Sequence, residues 1–216
     1  MAQGRDAPVD DAVARAMTAL DRRRFLPPDQ RPHAHEDRPL AIGHEQTSSQ
    51  PSTVAAMLRL LAVPPGARVL DVGAGSGWTT ALLARLVGPT GSVLGLERHR
   101  DLARWGAANL STTGMPWAAI ELADEGTLGR PVVGGYDRVL VSAAATELPE
   151  ALLEQLAVGG RMVIPVRHTM LLVERDRAGV RTSEHGSYSF VPLVTTSPTR
   201  DAGAPPDRRR PRRPRT

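Results

Sequence analysis

Three alternating glycines, Gly73-Ala74-Gly75-Ser76-Gly77, follow the short apolar run Val69-Leu70-Asp71-Val72. Glycines in that position let a chain turn sharply and bring its backbone against a ligand, and a following helix offers free N–H groups to an anion. Glu97 ends the next apolar run, where a carboxylate can accept hydrogen bonds from both hydroxyls of a ribose. These features serve nicotinamide cofactors and other adenosine-bearing ligands equally well.

Three details favour a cationic ligand over a dinucleotide. Trp78 stands where a dinucleotide fingerprint wants its third glycine. Asp71, two residues before Gly73, would repel a pyrophosphate but suits a ligand carrying an ammonium and a sulfonium. Asp124-Glu125 closes the third predicted strand, placed to accept from an adenine amino group. A nicotinamide oxidoreductase and a bare tight turn remain as rival readings; the turn leaves the flanking acids unexplained.

Strand and helix must alternate to position these residues. The patterns predict a helix over 9–22, carried by Val9, Val13, Met17 and Leu20, and a second that enters at Thr47-Ser48-Ser49-Gln50-Pro51 with Val54, Met57, Leu58 and Leu61 buried. From Arg68 onward the pattern changes, and we read strands at 69–72, 92–97, 118–122 and 136–143, separated by helices at 78–87 and 102–110. A helix over 148–156 and strands at 161–166, 170–174 and 190–194 complete the pattern. Such alternation predicts an α/β fold, a doubly wound and mostly parallel sheet with its pocket at the strands' carboxyl ends.

Composition excludes several classes of function. There is no cysteine, so neither a disulfide framework nor a thiol nucleophile is available. No apolar run reaches membrane-spanning length, and no signal-like segment opens the chain, so a cytoplasmic location is expected. The net charge of +4 is concentrated in Pro205–Thr216, where six arginines and one aspartate give +5 and leave about −1 elsewhere. The body therefore lacks a nucleic-acid binder's clustered charge, and the Arg/Pro-rich tail reads as a disordered appendage. His33-Ala34-His35 has no distant partners of metal-ligand spacing and reads as a surface loop.

Around the glycine cluster, Val69 to Trp78 resembles the first cofactor motif of the protein-L-isoaspartate O-methyltransferase family. Ile42-Gly43-His44-Glu45-Gln46-Thr47-Ser48-Ser49-Gln50-Pro51 resembles its substrate-side signature. Tyr136 to Val141 with Ala143-Ala144-Ala145, then Leu148-Pro149, Gln155-Leu156 and Gly159-Gly160-Arg161 through Pro165, follow in family order, and Phe190-Val191-Pro192-Leu193 resembles its closing strand.

The resemblance implies a class I methyltransferase with an antiparallel C-terminal strand, using S-adenosyl-L-methionine to esterify isoaspartyl-containing peptides or proteins. It implies Ser49 beside the substrate carboxylate, with a helix cap as the structural alternative. Cofactor contacts are implied from Gln46, Thr47, Ser48, Asp71, Gly73, Ala74, Gly75, Ser76, Gly77, Glu97, Arg98, Glu125 and Gly126. Residues 1–197 would form one domain, with 1–65 on the substrate side and 66–197 as the cofactor-binding core, and 198–216 would be the tail. Three departures from the pattern stand out: His35 and Asp37 before the substrate loop, Asp124-Glu125-Gly126 for the usual Gly-Asp-Gly, and Arg167 for a glycine.

Overall fold

The computed structural model describes residues 11–194. The predicted start of the first helix at Val9 and the Arg/Pro-rich tail lie outside them. Asp11 caps helix α1 (Ala12–Ala19), its side chain accepting from the amides of Val13 and Ala14. The helix is shorter than its apolar spacing suggests, because Asp21 caps a new 3-10 turn over Arg22–Phe25.

A second 3-10 turn (Arg31–His33) leads to a small hairpin of β1 (Leu40–Gly43) and β2 (Gln46–Ser48). Helix α2 (Pro51–Leu61) begins with proline at its first position, where the missing N–H costs nothing. Its cap is not one of the preceding hydroxyls. Thr47 and Ser48 belong to β2, and the cap residue Gln50 makes no side-chain capping bond. Asp37 supplies it from across the loop, with Oδ1 accepting from the Ser52 amide at 2.8 Å.

The main sheet comprises β3 (Arg68–Val72), β4 (Ser92–Glu97), β5 (Ala118–Leu122), β6 (Tyr136–Val141), β7 (Leu156–Val166), β8 (Thr169–Asp176) and β9 (Gly179–Ser187). Their order is β5-β4-β3-β6-β7-β8-β9; the first five are mutually parallel, and β8 and β9 are antiparallel additions. Helices α3 (Trp78–Val87), α4 (Arg100–Ser111) and α5 (Glu150–Glu154) complete the elements of the described residues. The strand order reverses between β3 and β6, the point at which open α/β sheets bind ligands.

Alternation along β3 divides the core. Val69 packs with α1, α2 and α3 on one face, while Leu70 and Val72 pack with Leu152 of α5 on the other. A third cluster, Leu26, Ala34, Leu40, Ile42 and Leu102, fastens the N-terminal hairpin to α4.

Helix α4 and strands β6, β7 and β8 have ends shifted from those predicted, and two predicted elements differ more deeply. The helix expected over 148–156 spans only Glu150–Glu154, and Leu156 already belongs to β7, with its side chain buried in the core. Phe190 to Val194 is not a strand: it makes a single isolated bridge, Ala144 to Pro192, and proline has no N–H with which to extend a ladder. The last strand is instead the polar β9, exposed along its whole length.

Candidate active site

The carboxyl ends of β3, β4 and β6 and the loop after β5 frame a cavity of about 220 Å³, roofed by the β1–β2 hairpin. Gly73 to Ser76, Glu97, Arg98, Glu125 and Gly126 line it from the sheet side. Gln46, Thr47, Ser48 and Ser49 line it from the opposite side. The segments singled out from the sequence thus converge, although Ser49 and Gly126 lie far apart along the chain.

Glu97 is buried, at 4% exposure. Its Oε2 accepts from the Gly75 amide and its Oε1 from the His99 amide, each at 2.9 Å. One acceptor direction on each oxygen is left for a ligand. Gly77, the cap residue of α3, has φ +92°, and a Cβ there would lie 2.9 Å from the Gly106 carbonyl oxygen. Gly77 therefore does not line the cavity; it allows the glycine loop to press against α4. Above that loop, Ile42 covers Gly75, and His44 stacks on His99 with ring centroids 4.9 Å apart. Burial holds His99 below the usual imidazole pKa, which favours the neutral ring in that stack.

Asp71 lies behind the glycine loop rather than among the lining residues. The pleat that turns Val69 toward α3 turns Asp71 the same way, and it is completely buried. Its Oδ2 accepts from the hydroxyls of Thr79 and Thr80, at 2.9 and 2.7 Å, while Oδ1 has no partner. Asp71 thereby fixes the first turn of α3.

Desolvation, opposed by the two threonine hydroxyls, raises the Asp71 pKa to about 6. A carboxyl whose folded pKa exceeds its unfolded value binds more protons when folded. Stability is therefore lost as pH rises from about 4 to about 6. Two units correspond to on the order of 3 kcal/mol. In urea unfolding at steps from pH 4 to 7, Asp71→Asn should gain on the parent by roughly that amount across this window. A difference independent of pH would remove Asp71 as its source.

Ser48 and Ser49 divide their labour. The Ser48 hydroxyl accepts from Arg22 Nε at 3.2 Å. The Ser49 carbonyl accepts from Arg22 Nη2, but its hydroxyl has no hydrogen-bond partner among the described residues. With Asp37 already serving the helix start, the capping alternative for Ser49 is excluded. At the far end of the cavity, Asp124 is paired with Arg130 at 3.2 Å, whereas Glu125 has no ion pair among the described residues.

Sequence reasoning missed the apolar walls, Val72, Leu96, Ala123 and Leu128, and the segment Val191 to Val194. It also missed Asn109, whose amide donates to the Ser76 carbonyl at 3.0 Å. Arg167 takes φ 55° in the turn between β7 and β8, a left-handed conformation that explains the family's glycine there. Its Nε donates to the Thr146 carbonyl. No group of three or more potential metal ligands occurs among the described residues.

Comparison with known proteins agrees with this geometry. Residues 3–198 match the family model of protein-L-isoaspartate(D-aspartate) O-methyltransferase. The chain is 47% identical over 187 residues to the protein-L-isoaspartate O-methyltransferase of Methanopyrus kandleri, covering 84% of this chain and 83% of that one. With the Aeropyrum pernix enzyme of the same name, identity is 45% over 187 residues, covering 84% and 72%. A Plasmodium falciparum beta-aspartate methyltransferase, solved in complex with S-adenosyl-L-homocysteine, superposes with a TM-score of 0.76 at 27% identity, covering 88% and 93%. By a match that runs through both halves of the cavity, this chain belongs to the protein-L-isoaspartate(D-aspartate) O-methyltransferase family.

Proposed function

We propose that the chain transfers a methyl group from S-adenosyl-L-methionine to the free carboxylate of L-isoaspartyl residues in proteins and peptides, opening their repair through a succinimide. The observation that carries this reading is the Ser49 hydroxyl, unpartnered within the described residues and set in the same cavity as the glycine loop and Glu97.

The residues present fit the cofactor. Glu97 offers two acceptors for ribose hydroxyls, Val72, Leu96, Ala123 and Leu128 supply apolar walls for a base, and Glu125 and Gly126 supply a polar end. Bound there, S-adenosyl-L-methionine supplies an electrophilic methyl group on a sulfonium. A carboxylate of this kind has a pKa near 4 and is ionised at neutral pH, so no general base is required. The protein's contribution is positioning and the exclusion of water. Ser49 orients one carboxylate oxygen through its hydroxyl, and the hairpin that ends just before it roofs the site.

In this reading residues 1–65 provide the substrate side and 66–197 the cofactor core of a single domain. No helix among the described residues is long and apolar enough to cross a membrane.

The direct test offers an isoaspartyl peptide and its normal aspartyl counterpart side by side with labelled cofactor. Label should enter the isoaspartyl peptide at least tenfold faster. Preference for the normal aspartate would instead make this a family member that tailors a dedicated peptide.

The glycine loop gives a second test. A Cβ on Gly106 of α4 would sit 2.6 Å from the Gly75 carbonyl oxygen, so Gly106→Ala must push the loop or the helix aside. Overpacking of this kind costs about 1–3 kcal/mol. Where it moves Gly75, cofactor affinity should fall by roughly tenfold, read by calorimetric titration. Unchanged affinity would show that α4 yields and the loop does not.

A further inference from the structure

Arginine is rarely buried without a partner of opposite charge. Arg22 is 5% exposed and has no ion pair among the described residues. Oxygens surround its guanidinium instead. Nε donates to Ser48 Oγ, Nη1 to the carbonyls of Ala34 and Glu36, and Nη2 to the carbonyls of Arg38, Ser48 and Ser49, the last two at 2.9 Å. Burial pushes its pKa down to about 10, so the group remains charged at neutral pH.

One flat face of this cation lies over the indole of Trp78, with Cζ 5.2 Å from the ring centroid. Trp78 is the first residue of α3, directly after Gly77, and it lines the cavity. A single side chain thus ties the loop that bears Ser49 to the turn that follows the glycine loop.

From this geometry we infer that Arg22 is a positioning residue for the methyl transfer: it fixes the Ser48–Ser49 backbone against the start of α3 and so sets the gap between acceptor and donor. The inference rests on Ser49 as the carboxylate contact. Lysine keeps the charge but lacks the planar fork that reaches three segments at once, so Arg22→Lys is the sharper substitution and Arg22→Met its uncharged companion.

The test is a double-mutant cycle on the full chain. Arg22→Lys is compared with its parent in the wild-type and Ser49→Ala backgrounds, with labelled methyl transfer to an isoaspartyl peptide, calorimetric affinity for S-adenosyl-L-homocysteine, and thermal melting. Misplacement on the scale of an ångström costs about 100-fold in rate. In the wild-type background kcat should therefore fall roughly 10- to 100-fold, with cofactor affinity changed less than threefold. In the Ser49→Ala background the same substitution should lower kcat less than threefold. Equal losses in both backgrounds, or affinity falling in step with kcat, would overturn the inference and leave Arg22 as a holder of the fold. Full activity in Ser49→Ala alone would overturn the reading of Ser49, and this inference with it. If Arg22→Met melts below the assay temperature, Arg22→Lys alone decides.

Discussion

Replacing Ser49 with alanine should lower kcat for an isoaspartyl peptide by on the order of 100-fold while changing cofactor affinity less than threefold. A hydrogen bond to a charged group contributes about 1.5–3 kcal/mol, or roughly 10- to 150-fold in rate if it is realised fully at the transition state. Two features of the structure separate this effect from a folding defect. The Ser49 hydroxyl supports nothing else among the described residues, and the start of α2 is held by Pro51 and by the Asp37 carboxylate. The backbone carbonyl of residue 49, which Arg22 holds, survives the substitution. The variant should therefore melt close to the parent. Parallel losses of activity and cofactor affinity would show that Ser49 shapes the cavity and does not serve the acceptor.

The part of the fold that was legible before the structure is the part with an unambiguous physical signature. Strands β4 and β5 and helix α3 begin and end where the apolar runs and glycines predict, and β3 starts one residue earlier than its apolar run, at Arg68. Strands of a parallel sheet covered on both faces are continuous apolar runs bounded by turns. Strand β9 lacks such a signature: Gly179-Val180-Arg181-Thr182-Ser183-Glu184-His185-Gly186-Ser187 is held by backbone pairing to β8, with every side chain exposed. Periodicity cannot report a strand that buries nothing. Conversely, Phe190 to Val194 has the apolar character of a strand, but Val191 to Val194 line the cavity, Pro192 bridges to Ala144, and Phe190 packs against the core.

The site was legible in its residue types more than in its contacts. Asp71 stands out in the sequence as an acid beside the glycines, and the pleat directs it to Thr79 and Thr80. Alternation along β3 contained that information, because Asp71 shares a face with Val69, which packs against α3. Arg22 was illegible for a different reason. It is the first of three successive arginines, and nothing in their spacing tells the buried one from its neighbours Arg23 and Arg24, which pair at the surface with Asp21 and Thr112. Its partners are mostly backbone carbonyls, which every residue possesses.

Glu97→Ala should show the opposite pattern to Ser49→Ala, with affinity for S-adenosyl-L-homocysteine falling on the order of 100-fold or more. The buried carboxylate does two things at once. It accepts from the Gly75 amide, holding the glycine loop toward β4, and it leaves acceptor directions free in the cavity. Alanine removes the acceptors and strands the Gly75 amide, and each charged hydrogen bond lost costs about 1.5–3 kcal/mol. Two such losses exceed the 2.7 kcal/mol that corresponds to roughly 100-fold in affinity. Glu97→Gln separates the contributions: one oxygen is kept for Gly75 or for the ligand, but its NH₂ cannot accept, so a loss of about tenfold is expected. Calorimetric titration of both variants reads the series directly. Affinities that stay level across glutamate, glutamine and alanine would mean that the ribose lies elsewhere, and that Glu97 serves only to hold the loop.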